Sequence, residues 1–156
     1  MTGCGKTTVG KKAAEMLSCE FVDIDEAIVR ETGKSIKELF ALYGEEGFRK
    51  IETDSLASHL QKEGFCIVSC GGGIILREEN RKLLREKAYT VWIRRPPKLV
   101  LENPRVLERP PVNGDKNSYY TLLQQRMPLY KESAVTTLQN RDAFATAKQL
   151  CRILQK

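Results

Sequence analysis

A chain of 156 residues with a net charge of +6, 41% hydrophobic and 29% charged, is sized and balanced as a single globular domain, residues 1–156. That length buries roughly 68–70% of the unfolded surface, so a core forms without a disulfide or metal staple. No apolar run approaches the roughly 18 residues of a membrane span, which excludes a membrane protein, as the composition excludes a collagen-like fibre and a small disulfide scaffold.

The basic residues are spread along the chain without a long run, so the positive charge points to anionic ligands in general rather than to nucleic acid. The cysteines, Cys4, Cys19, Cys66, Cys70 and Cys151, are odd in number and contain no C-x-x-C pair. With no signal-peptide stretch at the N-terminus, they read as reduced thiols of a cytoplasmic protein.

Helix and strand signals alternate. A glycine-rich turn leads into a helix over Lys6–Leu17, with Val9, Ala13, Met16 and Leu17 at helical spacing. A short strand at Phe21-Val22 runs into Asp23-Ile24-Asp25, and a helix from Asp25 to Glu31 closes at Gly33. Ser35 with Glu38 forms a capping box ahead of Ile36, Leu39 and Phe40. Gly44 is expected to end that helix, and another spans about Glu45–Lys62. Phe65–Ser69 reads as a buried strand leading straight into Gly71-Gly72-Gly73, followed by a helix over Glu78–Lys87 and a strand over Tyr89–Ile93. Residues 103–117 are rich in Pro, Gly, Arg and Asn, the composition of a lid or binding loop. A helix near Ser118–Arg126, a weak strand at Val135–Leu138 and a final helix bearing Phe144, Ala147, Leu150, Cys151 and Leu154 on one face complete the chain. Strands separated by helices predict an α/β fold with a parallel sheet.

The chemistry concentrates in a few places. In Gly3-Cys4-Gly5-Lys6-Thr7-Thr8, glycines let backbone N–H groups close on phosphate oxygens at a helix N-terminus, with Lys6 reaching the outer phosphates and the Thr7 hydroxyl ligating Mg²⁺. The opening glycine of the full pattern, and the strand expected before it inside the sheet, lie outside this sequence. Asp23 and Asp25 stand at a strand's carboxyl edge, where one could serve Mg²⁺ and the other accept a proton from a hydroxyl. Arg49 and Glu52 are three apart on a helix, so the carboxylate could hold the guanidinium as a clamp for a ligand carboxylate. The triple glycine 71–73 permits close approach of backbone to a ligand. Arg105, Arg109 and Arg126 lie in or just after the long loop, while His59 and the Arg94-Arg95 pair read as surface residues.

In this order the motifs resemble shikimate kinases, small P-loop kinases of the nucleoside-monophosphate-kinase type. The resemblance rests on Gly-x-Gly-Lys-Thr-Thr-Val-Gly, Phe21-Val-Asp-Ile-Asp25, Thr32-Gly-Lys-Ser-Ile36, Phe40, Gly44-Glu45, Phe48-Arg49-x-x-Glu52, the triple glycine, Arg109-Pro110 and Arg126-x-Pro-Leu-Tyr130, and it covers nearly the whole chain. It implies a P-loop kinase fold with a mobile lid at about 103–117, and transfer of the γ-phosphoryl of ATP to the 3-hydroxyl of shikimate in aromatic amino acid biosynthesis. By the same resemblance Gly3–Thr8 hold ATP, Thr7 and Asp23 are on the Mg²⁺ side, and Asp25 is the base. Arg49 and Arg126 grip the shikimate carboxylate in a pocket lined by Gly71, Gly72 and Gly73. Arg109 is the lid arginine reaching the phosphates, and Arg141 is an adenine contact. A monomer with no nucleic-acid or membrane partner is expected. The lid departs from the family pattern in reading Arg109-Pro110-Pro111-Val112, and Val135 stands where the family often has aspartate. A gluconate-type kinase and a truncated, inactive homologue that only binds a ligand or partner are the competing readings.

Overall fold

The computed structural model describes residues 1–107, 112 and 114–155. Helix α1 (Lys6–Leu17) starts after Gly5, whose φ of 83° favours a residue without Cβ, and it buries Val9, Ala13 and Ala14. There follow β1 (Glu20–Asp23), α2 (Ile24–Thr32), α3 (Ile36–Leu60) and β2 (Cys66–Ser69). A 3₁₀ turn (Ile74–Leu76), α4 (Glu78–Lys87), β3 (Val91–Arg94), α5 (Pro97–Leu101) and α6 (Pro104–Leu107) come next. The chain continues through α7 (Lys116–Ser133), β4 (Thr136–Gln139) and α8 (Ala143–Leu154).

The parallel α/β pattern holds, and the departures have local causes. Asp23, not Asp25, caps α2: its Oδ1 accepts the Asp25 N–H at 3.1 Å, so the helix starts at Ile24. The Ser35–Glu38 capping box forms as expected. Gly44, at φ 68° and ψ −176°, leaves the helical region, so the helix that begins at Ile36 is broken there as expected and a second helical segment of α3 runs from beyond it to Leu60. Within 103–117 a short helix, α6, forms, and α7 starts at Lys116 because Asp115 accepts from the Asn117 and Ser118 N–H groups. α7 also runs past Arg126 to Ser133, carrying Pro128 inside it. His59 is not a surface residue; it is 3% exposed, with Nδ1 2.8 Å from the Ser55 carbonyl one turn back.

The described strands form two parallel pairs. β1 and β2 pair from Glu20↔Cys66 to Asp23↔Ser69, and β3 and β4 from Val91↔Thr136 to Arg94↔Gln139. Helix α1 bridges the pairs: Val9 and Ala13 belong to one apolar cluster with Ile93 and Leu138 of β3 and β4 and with Ala147 and Leu150 of α8, and Ile67 of β2 packs against it. A second cluster joins Val22, Ile24 and Ile28 to Leu39 and Phe48 of α3. Between the pairs lies a cavity of about 440 Å³, lined by successive residues of both strands, Cys66–Ser69 and Val91–Ile93. Only the edge of a strand presents every residue in turn, since its faces present alternate ones. The two pairs therefore meet edge to edge across this cavity.

Trp92, the single tryptophan, lines that cavity and stacks on Tyr130 with ring centroids 5.3 Å apart. Replacing it with alanine is expected to cost about 3–5 kcal/mol in urea unfolding, and Trp92→Phe, which keeps a ring against Tyr130, markedly less.

Candidate active site

The loop from Gly3 to Gly5 enters α1 with two left-handed glycines, Gly3 at φ 73° and Gly5 at φ 83°. No side chain caps the helix, so its first N–H groups are left for another acceptor and the positive end of the helix dipole faces the loop. Gly3 is also needed sterically, because a Cβ there would meet Val100 Cγ1 at 2.8 Å. Lys6 and Thr7 are half-buried on the first turn, whereas Thr8 is exposed.

Thr7 Oγ1 donates to Asp23 Oδ2 at 2.9 Å and lies 3.4 Å from Ser69 Oγ. These three groups come from the start of α1, the end of β1 and the end of β2, and the register sets Asp23 opposite Ser69. Asp25 is in the first turn of α2, so the two aspartates are placed by a strand end and a helix start rather than by strand alternation. A Cβ on Gly71 would sit 3.1 Å from Asp25 Oδ1 and 2.8 Å from Glu52 Oε1, which shows how closely that backbone passes both carboxylates. Cys70 lies among all these charges. Its thiol is pushed up to about 12, first by burial and then by Glu52, with Asp25 and Asp23 adding and Lys6 opposing.

Arg49 Nη1 donates to Glu52 Oε2 at 2.8 Å and Nη2 to Glu45 Oε1 at 3.3 Å. The guanidinium also lies 5.4 Å from the Phe48 ring centroid and 5.8 Å from that of Phe40, whose rings stack on each other. Glu52 is only 1% exposed. Burial raises its pKa, and the charge and hydrogen bond of Arg49 oppose that rise. Arg49 keeps one donor in hand: among the described residues its buried Nε has no hydrogen-bond partner. Gly73 passes so close to this guanidinium that a Cβ would collide with it.

The Gly72 carbonyl accepts from Arg126 Nη1 at 3.2 Å and from the Tyr130 hydroxyl at 2.6 Å. Burial pushes the Tyr130 phenol up, so it remains a donor. The triple glycine thus runs beside two arginines, with Arg49 close to Gly73 and Arg126 bonded to the Gly72 carbonyl. The sequence-predicted residues Gly3 to Thr7, Asp23, Asp25, Arg49, Gly71–Gly73 and Arg126 are brought together around the carboxyl ends of β1 and β2. Arg141 is exposed, one residue beyond the buried Asn140 that touches the loop. Arg109 lies outside the described residues. Sequence reasoning missed Ser69, Tyr130 and Asn140 as site residues. For Ser69 a signal existed, since two parallel strands ending at the same level set its hydroxyl beside Asp23.

Chemically, the assembly offers a backbone anion cradle with a lysine, a hydroxyl–carboxylate pair of hard oxygen donors, a second carboxylate near the glycines, and a fixed guanidinium. The shikimate kinase family model matches residues 2–155. A shikimate kinase of Dictyoglomus turgidum is 37% identical over 146 residues, covering 90% of this chain and 85% of that protein. The structure of a shikimate kinase from Acinetobacter baumannii in complex with shikimate superposes with a TM-score of 0.89 at 34% identity, covering 98% of this chain and 88% of that one. The shikimate kinase of Bacteroides thetaiotaomicron gives 0.87 at 27% identity, over 99% and 94%. With the family model and the sequence relatives spanning nearly its whole length, and with the glycine-lysine loop, two aspartates and half-buried arginine assembled at one end of its strands, the chain belongs to the shikimate kinase family.

Proposed function

We propose that this chain transfers the γ-phosphoryl group of ATP to the 3-hydroxyl of shikimate, giving shikimate 3-phosphate and ADP. One observation carries the reading: a guanidinium locked by a buried carboxylate stands beside Gly73, in the same run of three glycines whose first member borders Asp25. An enzyme for a neutral alcohol would have no use for an arginine held ready in this way, whereas an acceptor with its own carboxylate needs one to fix its hydroxyl in place.

In this mechanism the Gly3–Thr8 backbone and Lys6 receive the phosphates and offset charge as it spreads over the transferred group. Asp25 takes the proton of the 3-hydroxyl as the oxygen–phosphorus bond forms. The bond from phosphorus to the bridging oxygen of ADP breaks, and the electron pair stays with ADP. Arg49 and Arg126, both beside the triple glycine, hold the shikimate carboxylate, and the rigidity of Glu52 keeps the alcohol aligned. The Thr7 hydroxyl and Asp23 carboxylate, 2.9 Å apart, are hard oxygen donors that would hold Mg²⁺. Bound there, Mg²⁺ would supply charge neutralisation between the outer phosphates. Ser69 and Asp25 N–H orient the two ligating side chains through the contacts they make with Thr7 and Asp23. The resemblance assigns Arg109, in the proposed lid, to the phosphates, and Arg141 to the adenine side. We place the reaction in the cytoplasm, as a monomer without nucleic-acid or membrane partners. The free cysteines fit a reducing compartment, and among the described residues no helix is long and apolar enough to cross a membrane.

Coupled detection of ADP is expected to show turnover only when ATP, Mg²⁺ and shikimate are all present; turnover unchanged by omitting shikimate would refute the assignment. Asp25→Asn should lower kcat about 10²-fold or more with ATP affinity retained, because a general base contributes on that scale. Arg49→Ala should raise the KM for shikimate about tenfold or more and leave that for ATP nearly unchanged, as expected for one lost charge-assisted contact.

Glu52 gives a pH signature. Its pKa is raised above the ordinary 4.5, so as pH climbs through 4.5 the unfolded chain releases this proton before the folded one does. The folded state then holds more protons, and stability falls until the raised native value is passed. Glu52→Gln removes that fall. Denaturant curves across pH 4 to 7, on the order of the ordinary carboxylate range, should show the variant gaining on the parent as pH rises.

A further inference from the structure

Asn140, the residue after β4, is 1% exposed, and its carboxamide is spent on the phosphate loop. Nδ2 donates to the Cys4 carbonyl at 2.8 Å, a contact between residues 136 apart in sequence. Oδ1 lies 3.3 Å from the Thr146 hydroxyl of α8, whose one proton is shared with the Asp142 carbonyl at 2.7 Å, and the Asn140 backbone N–H donates to the Arg94 carbonyl at 2.6 Å. These partners fix the orientation of the amide, since only its nitrogen can face a carbonyl. The loop is shaped to match: a Cβ on Gly5 would collide with Nδ2, so Gly5 is required by Asn140 as well as by its own φ of 83°.

The consequence follows from the geometry of one peptide. In a trans peptide the C=O and the next N–H point in opposite directions. Pinning the Cys4 carbonyl onto Asn140 therefore turns the Gly5 N–H away from β4 and towards the open side of the loop. An unpinned loop with two left-handed glycines has several peptide orientations of similar energy, and a bound anion would have to select one.

We propose that Asn140 is a positioning residue for the nucleotide: through Cys4 it sets the Cys4–Gly5 peptide plane, so that the Gly5 N–H is aimed at phosphate oxygens before any ligand arrives. The proposal rests on the reading of Gly3–Thr8 as the phosphate loop and adds a residue from the far end of the chain to it. Asn140 touches no reacting atom. Its effect belongs in nucleotide affinity, with the shikimate half of the site, held by Arg49 and Arg126, left as it is.

The test measures ADP and shikimate binding by calorimetry for the parent, Asn140→Asp and Thr146→Val, with Tm recorded for each. Asn140→Asp keeps the size but sets an oxygen against the Cys4 carbonyl, and it should weaken ADP about tenfold or more, the scale of one lost and one repelled hydrogen bond, while shikimate affinity stays within about twofold. Thr146→Val, which loosens the amide without removing it, should weaken ADP in the same direction by less. A folded Asn140→Asp protein with parental ADP affinity overturns the proposal, and so does equal weakening of both ligands, which would mark a general packing role. If Asn140→Asp does not fold, Thr146→Val decides, and unchanged ADP affinity there overturns the proposal. A parent that binds shikimate but no ADP would instead overturn the phosphate-loop reading itself.

Discussion

The half of the site proposed for shikimate depends on one ion pair whose carboxylate is buried. Glu52 is removed from water on α3, a placement whose desolvation penalty only a well-formed partner can offset, and Arg49 is that partner one turn away. Because the pair shares a helix, its geometry is set by the helix itself, and the loop that must pass it has no freedom to displace the guanidinium. The loop yields instead. At residues 71 and 73 any side chain would strike Glu52 or Arg49, so glycine is required there for space rather than for conformation. The backbone then runs close to Asp25 at Gly71, and the Gly72 carbonyl collects Arg126 and Tyr130 from α7. Remove the buried carboxylate and the arginine loses its orientation, the glycines lose their reason, and α7 loses the ledge it binds.

The nucleotide half is built on a different economy of contacts. It uses a helix start with no side-chain cap, glycines in left-handed conformations and a single amide beneath the loop. Thr7 joins the halves: its hydroxyl donates to Asp23 at the end of β1 and lies against Ser69 at the end of β2, so the first turn of α1 is tied to the sheet that carries the substrate residues. A phosphoryl donor and its acceptor must be held with the reacting atoms about 3–3.5 Å apart, and this hydroxyl contact ties together directly the elements that would hold them.

What could be read from the sequence was whatever is encoded within a turn or two of chain. The phosphate loop, the Ser35–Glu38 box, the Arg49–Glu52 spacing and the strand running into three glycines are all local patterns, and the structure forms each of them. Asn140 and Tyr130 were not legible as site residues because their partners, Cys4 and Gly72, lie far off in sequence and are met only after the strands have paired. His59 misled for a related reason. A lone histidine on a polar stretch of helix looks solvated, yet α3 is covered on that side by the 3₁₀ turn and α4, and the ring satisfies itself on its own helix. The end of α7 was misjudged because a proline is a strong local signal, and the contacts of α7 with α4 and the 3₁₀ turn carry the helix through Pro128.

The break at Gly44 puts Phe40 and Phe48 on separate helical segments of α3, yet their rings stack across it with centroids 4.3 Å apart. Arg49 lies against both rings, 5.8 Å and 5.4 Å from their centroids. The guanidinium is therefore seated on a joint between two helical segments as well as on its own carboxylate partner. A smaller side chain in place of either ring would leave a void at that joint and let the angle between the segments drift, and the guanidinium with it.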